Sequence, residues 1–167
     1  MVVDQNSLNV KKYFSLIVFC LLFTSKSYSN NFTLTKIVKL DEPWGSSFIN
    51  NDEIIITEKS GKIKIININS KKILEVKHNL NFLNVGQGGL LDIIHQNNNL
   101  WISYTEDRGN SKTSTSIAKA RLDKKELNFE NIFQANPPID SGYHFGSRLA
   151  IKDNYLFASA GERGQGM

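Results

Sequence analysis

Short apolar or alternating runs recur along the chain after residue 40, and clusters of Asn, Asp, Gly and Ser separate them. Alternation of apolar and polar residues with a period of two is typical of strands that bury one face. Asn- and Asp-rich clusters favour tight turns, because these side chains bond to the neighbouring backbone and tolerate positive φ. This part of the sequence lacks the sustained period of 3.6 residues that marks an amphipathic helix. The pattern predicts an all-β fold with strands at residues 53–57, 62–68, 100–104, 116–122, 128–133, 148–151 and 155–159, and turns at 50–52, 97–99 and 152–154.

Three of the predicted hairpins share one order of features. Each has a glycine, an apolar strand, an Asn or Asp turn, a second apolar strand, and a turn that runs from an acidic residue to a glycine. The closing glycines, Gly61, Gly109 and Gly164, lie 48 and 55 residues apart. A period of about 50 residues with several strands is typical of a β-propeller, in which sheets stack around an axis. A β-sandwich with similar hairpins is the alternative interpretation.

The first 29 residues have the features of a secretory signal peptide. A pair of lysines precedes an apolar run at residues 13–23, and Ser27 and Ser29 are small residues at the positions that a signal peptidase inspects. We therefore predict cleavage after Ser29 and a mature chain that is periplasmic or secreted. The run is shorter than the roughly 20 residues that span a bilayer, so stable membrane insertion after cleavage is not expected. An uncleaved N-terminal anchor is the alternative.

Removal of the signal peptide changes both the cysteine content and the charge. The single cysteine, Cys20, lies inside the apolar run, so the mature chain is left without a disulfide or a thiol nucleophile. The signal peptide holds three lysines and one aspartate, and therefore accounts for two of the four net positive charges of the chain. The remainder is nearly neutral and has no basic block interleaved with aromatic residues, so a nucleic-acid partner is not expected.

The candidate chemistry lies at residues 141–150, where His144 stands between two aromatic residues just before an apolar run. Imidazole has the ordinary pKa closest to neutrality among side chains, so it can take a proton from a substrate hydroxyl. Gly146 removes side-chain bulk two residues later, which lets a ligand or another backbone approach. A histidine that only caps a turn before a strand is the alternative interpretation.

Five short motifs occur in a fixed order: PWG at residues 43–45, TEKSGKI at 57–63, QGGLLD at 87–92, HFGSRL at 144–149 and GERG at 161–164. In this order they resemble the soluble PQQ-dependent glucose and aldose sugar dehydrogenases, over about residues 38–167. The resemblance implies a six-bladed β-propeller, with pyrroloquinoline quinone (PQQ) near the central axis and calcium beside it. With three repeats, residues 30–167 would be the N-terminal part of the propeller domain, with only the first two to three blades present.

The resemblance also implies roles for three residues. His144 matches the general base of the family, which removes the proton of the sugar's anomeric hydroxyl. Gln87 and Glu162 match residues at the sugar site, where the amide of Gln87 can donate and accept a hydrogen bond at once. Tyr143 stands where glucose-specific members have an aspartate, which favours the broader aldose branch. From its place in a polar turn, Arg163 is expected to be solvated or paired with Glu162.

The residues that hold the quinone and the calcium in the family match no position of this chain and are expected beyond Met167. We therefore expect the 167-residue chain to be inactive on its own. The predicted function is oxidation of aldose sugars to lactones with PQQ as the hydride acceptor; the sequence does not identify the onward electron acceptor. A non-catalytic secreted propeller that binds a protein or a glycan is the alternative. A calcium-dependent lactone hydrolase would need acidic and Asn ligands that converge on the axis, and the sequence offers no such set.

Overall fold

A computed structural model describes residues 32–166, and from Lys36 onward these residues form one compact unit. The predicted signal peptide lies outside the described residues. In the described part the chain forms strands and no helix, which confirms the predicted all-β class, and it therefore has no helix that could cross a membrane. The strands are β1 (Pro43–Phe48), β2 (Glu53–Glu58), β3 (Lys62–Asn67), β4 (Ile73–His78), β5 (Leu90–Gln96), β6 (Asn99–Asp107), β7 (Thr113–Arg121), β8 (Glu126–Leu127), β9 (Glu130–Gln134), β10 (Gly146–Lys152) and β11 (Tyr155–Ala160).

Within residues 32–166 the strands form three sheets in chain order. The first sheet runs β1-β2-β3-β4 by antiparallel pairing, and β8 adds to its outer edge as a short parallel strand. The second sheet runs β5-β6-β7-β9, and the third is the hairpin β10-β11. Consecutive strands pair because the connections are tight turns of the predicted kind. Asn97 and Asn98, both with positive φ, make the two-residue turn between β5 and β6.

Four strands lie outside the seven predicted ranges. Of these, β1 and β5 are the first strands of predicted hairpins, whereas β4 and β8 were not expected from the sequence. β4 is an outer strand of the first sheet, and Val76 is its one buried side chain. It therefore lacks the alternation that marks a half-buried strand. β8 is only two residues long, and it forms because the chain passes beside β4 rather than because of a local pattern.

The first strand of each sheet has a bulge at the same place in its pairing with the second strand. The bulges lie between Pro43 and Ser46, between Leu90 and Ile93, and between Gly146 and Leu149. At each bulge a backbone N–H donates to a hydroxyl of the second strand at 2.9–3.0 Å: Gly45 to Thr57, Asp92 to Ser103, and Arg148 to Ser159. The repeat in the sequence is therefore also a repeat of backbone geometry.

Hydroxyls from this set also join neighbouring sheets. Thr57 Oγ1 donates to the carbonyl oxygen of Leu91 at 2.5 Å, and Ser103 Oγ donates to that of Ser147 at 2.6 Å. Strands β1 and β10 accordingly both lie against β5. Gly45 suits this stacking, because a Cβ at that position would lie 2.6 Å from the Leu91 carbonyl oxygen.

The hydrophobic core lies mainly between the first and second sheets. Its fully buried large side chains include Ile55, Ile63, Leu90, Ile93, Leu100 and Ile102. Each such burial stabilises the fold by about 1.5–3 kcal/mol relative to an exposed side chain. Strand β11 of the third sheet is largely exposed, including the aromatic residues Tyr155 and Phe157. The third sheet is thus attached to the second with much less apolar burial than the first.

Candidate active site

Two loops from different sheets meet at one end of the molecule. Residues 85–89 lead into β5, and residues 141–145 lead into β10. The backbone N–H of Gln87 donates to the carbonyl oxygen of Gly142 at 2.8 Å. A Cβ on Gly86 would lie 2.4 Å from that same oxygen, and Gly86 also has positive φ. Glycine is therefore required for the loops to approach this closely.

His144 sits at the centre of this contact with a left-handed backbone, at φ 50°. Such a conformation costs an L-residue about 1–2 kcal/mol, so neighbouring groups must hold it. The His144 N–H donates to Gln87 Oε1 at 3.0 Å, and the next carbonyl, of Phe145, accepts from Thr115 Oγ1 at 2.7 Å. Gly161 packs against the His144 carbonyl, where a Cβ would be only 1.8 Å from the oxygen.

The imidazole of His144 is paired with the carboxylate of Glu162. Nδ1 contacts Glu162 Oε1, and the backbone N–H of Gly164 donates to Oε2. Hydrogen bonding from His144 is the main cause that lowers the pKa of Glu162, which is therefore a carboxylate near neutral pH. A carboxylate only accepts, so Nδ1 carries a proton, and in the neutral imidazole Nε2 has a lone pair. The His144 side chain is 54% exposed, so a ligand can approach the imidazole.

Gln87 reaches this site from the second sheet. Its Oε1 accepts from the backbone of His144, so one acceptor position of the amide is occupied. The amide nitrogen makes no hydrogen bond within the described part of the chain, and it can donate two hydrogen bonds. Gln87 can therefore offer hydrogen-bond donors, rather than a free oxygen, to a ligand. The ring of Tyr143, which is 61% exposed, lies beside the imidazole at 6.3 Å between centroids.

Arg163 is the residue whose place the sequence did not predict. It is 8% exposed rather than solvated, and its hydrogen bonds run to neutral oxygens rather than to Glu162. The guanidinium carbon lies 3.8 Å from the centroid of the buried Phe145 ring. Burial lowers the pKa of Arg163 below its ordinary value. The sequence around Arg163 gives little indication that the residue is buried, because its burial depends on a strand 50 residues earlier in the chain.

The predicted site residues His144, Gln87 and Glu162 are thus brought together by the fold. They offer a lone pair on Nε2, a carboxylate that fixes the imidazole tautomer, and an amide donor. Within residues 32–166 there is no group of three or more His, Cys, Asp or Glu side chains that could hold a metal ion. The set is suited to taking a proton from a hydroxyl whose neighbouring oxygen accepts a hydrogen bond.

Comparison with known proteins decides the family. The model of the glucose/sorbosone dehydrogenase family matches residues 40–167, which is most of the chain. The chain belongs to this family. The resemblance drawn from five short motifs is thereby confirmed.

Among its relatives, the aldose sugar dehydrogenase YliI of Escherichia coli (strain K12) is 31% identical over 137 residues. That match covers 76% of this chain and 37% of the relative, so the chain spans little more than a third of its length. The crystal structure of the soluble aldose sugar dehydrogenase from Escherichia coli in the apo-form is 29% identical with a TM-score of 0.70, and the match covers 75% of this chain and 39% of that one.

A more distant structure has the same fold. The PQQ-bound form of the aldose sugar dehydrogenase from Streptomyces coelicolor is 20% identical with a TM-score of 0.65, covering 76% of this chain and 40% of that one. The described part of the chain therefore shares its fold with solved aldose sugar dehydrogenases.

Proposed function

We propose that the intact protein oxidises the anomeric hydroxyl of an aldose sugar to a lactone, with PQQ as the hydride acceptor. The observation that carries the proposal is the exposed imidazole of His144, whose Nδ1 is paired with the Glu162 carboxylate. The names of two relatives support it: one is an aldose sugar dehydrogenase, and another was seen in a PQQ-bound form.

His144 acts as the general base in this proposal. Nε2 takes the proton of the anomeric hydroxyl while the C–H hydrogen leaves with its electron pair, so that the C–O bond becomes the lactone carbonyl. Glu162 accepts from Nδ1–H throughout and stabilises the imidazolium that forms. The amide nitrogen of Gln87 donates to a sugar oxygen and orients the ring. Tyr143 in place of a shorter acidic residue suits a range of aldoses.

PQQ, when bound, supplies an acceptor for the two electrons and the hydrogen. The described residues fit the sugar side of this reaction better than the cofactor side. A quinone with several carboxylates calls for cationic partners. Of the two arginines nearest His144 in the sequence, Arg148 pairs with Asp92, and Arg163 bonds to Thr113 and the loop backbone. We therefore assign no described residue to the quinone, and likewise none to the calcium that we expect beside it.

The three sheets fit this proposal as consecutive blades of a six-bladed β-propeller, of which the chain holds the first two to three. In that arrangement the loops that lead into β5 and β10 face the central axis of the propeller. Residues 30–167 belong to the propeller domain. The N-terminal signal sequence directs the protein to the periplasm or outside the cell, where aldoses are accessible.

The test uses the intact protein with PQQ, calcium, a panel of aldoses and an artificial electron acceptor. We expect saturable sugar oxidation in which His144→Gln lowers kcat by about 10²–10⁴-fold. His78→Gln is the matched control, because His78 ends β4 and contacts only the Gly61 carbonyl and the Leu80 backbone in its hydrogen bonds. We expect the control to keep kcat within a few-fold. Absence of turnover and of saturable quinone binding would favour a non-catalytic propeller instead.

A further inference from the structure

Arg163 is a buried cation whose hydrogen bonds end on neutral oxygen atoms. They run to the carbonyl oxygens of Ser141, Tyr143 and Thr113 and to Thr113 Oγ1. A buried charge without a carboxylate partner is costly, and an apolar side chain of similar size would avoid that cost. A planar fork that bonds several acceptors at fixed angles is what arginine offers and other side chains do not. The arrangement therefore indicates a role that depends on this geometry.

The acceptors lie on two different parts of the fold. Thr113 begins β7 in the second sheet, whereas Ser141 and Tyr143 belong to the loop that leads into β10. Arg163 thus ties the loop to the second sheet, and Ser141 Oγ returns a hydrogen bond to the Arg163 carbonyl at 2.6 Å. The guanidinium also lies against the Phe145 ring. One side chain therefore contacts three of the five residues in the loop 141–145.

His144 stands between two of those contacts. Its neighbour Tyr143 is held through its carbonyl by Arg163 Nε at 3.0 Å, and Phe145 is covered by the guanidinium. The left-handed backbone of His144 is kept by these flanking attachments. Glu162, adjacent to Arg163 in sequence, holds the imidazole of the same residue. Arg163 itself has φ 61°, and this left-handed turn lets the two consecutive side chains reach different targets.

We propose that Arg163 is a positioning residue for His144. Its guanidinium fixes the backbone of residues 141–145 so that the imidazole meets Glu162 with Nδ1 protonated and Nε2 directed outward. The inference rests on the proposed function for what Nε2 does, but the geometry it describes can be measured without turnover. Lysine cannot replace Arg163, since a single ammonium does not span Thr113 and two loop carbonyls.

The first test reads the imidazole directly. Two-bond proton–nitrogen spectra of protein labelled with ¹⁵N-histidine distinguish a protonated ring nitrogen from a bare one. The chain has three histidines, and His144→Gln assigns the signal of His144 by its loss. We expect Arg163→Met and Arg163→Lys to shift the His144 signals toward those of Glu162→Gln, in which the carboxylate is removed. Arg121→Met, at the exposed far end of β7, should leave them unchanged.

Thermal unfolding shows whether each variant is folded. If Arg163→Met does not fold, Arg163→Lys, which keeps the charge, carries the same test together with Thr113→Val, which removes one acceptor of the guanidinium. Wild-type His144 signals in the folded Arg163 variants would overturn the inference.

The second test is kinetic. In the intact protein we expect Arg163→Lys to lower kcat by about 10–100-fold with a smaller change in KM, because a misplaced base slows the chemical step more than sugar binding. Equal kcat in Arg163→Lys and Arg121→Met would overturn the inference. If the wild type oxidises no sugar, the proposed function fails, and the histidine spectra still decide the role of Arg163.

Discussion

The contact between the first and second sheets and the contact between the second and third sheets share one backbone plan and differ in their side chains. We call them the first and second interface. In both, a hydroxyl of one sheet donates to a carbonyl oxygen in the bulge of the next, at 2.5 and 2.6 Å. The first interface also buries a large apolar cluster, with fully buried side chains such as Ile55 and Ile93.

The second interface is held largely by polar groups. The buried carboxylate of Asp92 accepts from the Leu149 N–H at 2.8 Å, and Arg163 and Thr115 hold the loop that carries His144. Directional bonds fix positions closely but add less to the free energy of unfolding than burial of large apolar side chains. The first interface therefore mainly stabilises the fold, and the second mainly fixes the site. Mutations should separate these two effects.

The largest effect is expected from Ile93→Ala at the first interface. Ile93 is fully buried, so truncation removes apolar contacts and leaves a cavity that backbone on both sides keeps open. We expect the free energy of unfolding, measured with urea, to fall by about 2–5 kcal/mol. Ile132→Ala is the matched control, because Ile132 is 50% exposed, and its loss should be within about 0.5 kcal/mol. Equal losses would remove the distinction between the interfaces.

Asp92→Asn at the second interface should have an intermediate effect. The Asp92 carboxylate accepts from two backbone N–H groups and from Arg148, whose side chain is 80% exposed and whose ion pair therefore adds little. We expect a loss of about 1–3 kcal/mol in the free energy of unfolding, mainly from the buried amide contacts. Asp123→Asn, at an exposed position, is the control. A loss as large as that of Ile93→Ala would contradict the contrast drawn here.

The smallest expected effect is a change in the pKa of a single carboxylate. It can be measured at two separate places in the fold. The pKa of Glu162 is lowered chiefly by the His144 hydrogen bond, and that of Glu53 chiefly by the Lys124 hydrogen bond. A lowered folded-state pKa stabilises the fold above the ordinary value of 4.5, and the contribution is lost as pH falls through the folded-state pKa. Carboxyl ¹³C titration should show His144→Gln raising the pKa of Glu162 alone.

Lys124→Met is the counterpart of that experiment. It should raise the pKa of Glu53 and leave that of Glu162 unchanged, since Lys124 contacts the first sheet through Glu53. If His144→Gln left the pKa of Glu162 where it was, the pairing that orients the imidazole would be disproved.

Much of the fold could be predicted because half-buried strands impose a period of two on the sequence. Strands such as β3, with Ile63 and Ile65 facing the core, follow that pattern directly. β4 could not be found in this way, since Val76 is its one buried side chain and its pairing depends on β3. The repeat was recognisable, but the equivalent bulge residues Pro43, Leu90 and Gly146 are 47 and 56 residues apart, slightly different from the spacing of the closing glycines.

The candidate site could be predicted as a set of residues but not as a geometry. His144, Gln87 and Glu162 stand in short motifs, so the sequence indicates them. The use of the Gln87 oxygen to hold the His144 backbone depends on how two loops close on each other. The burial of Arg163 depends in the same way on Thr113. Contacts of this kind join distant segments, and a local pattern does not encode them.

The left-handed backbone at His144 limits the residue types that can occupy that position. Among residues other than glycine, asparagine, aspartate and histidine enter this region of backbone space most readily. Glycine and asparagine bring no base, and an aspartate would repel the neighbouring Glu162. Histidine therefore suits both the left-handed backbone at this position and the role of a proton acceptor beside Glu162.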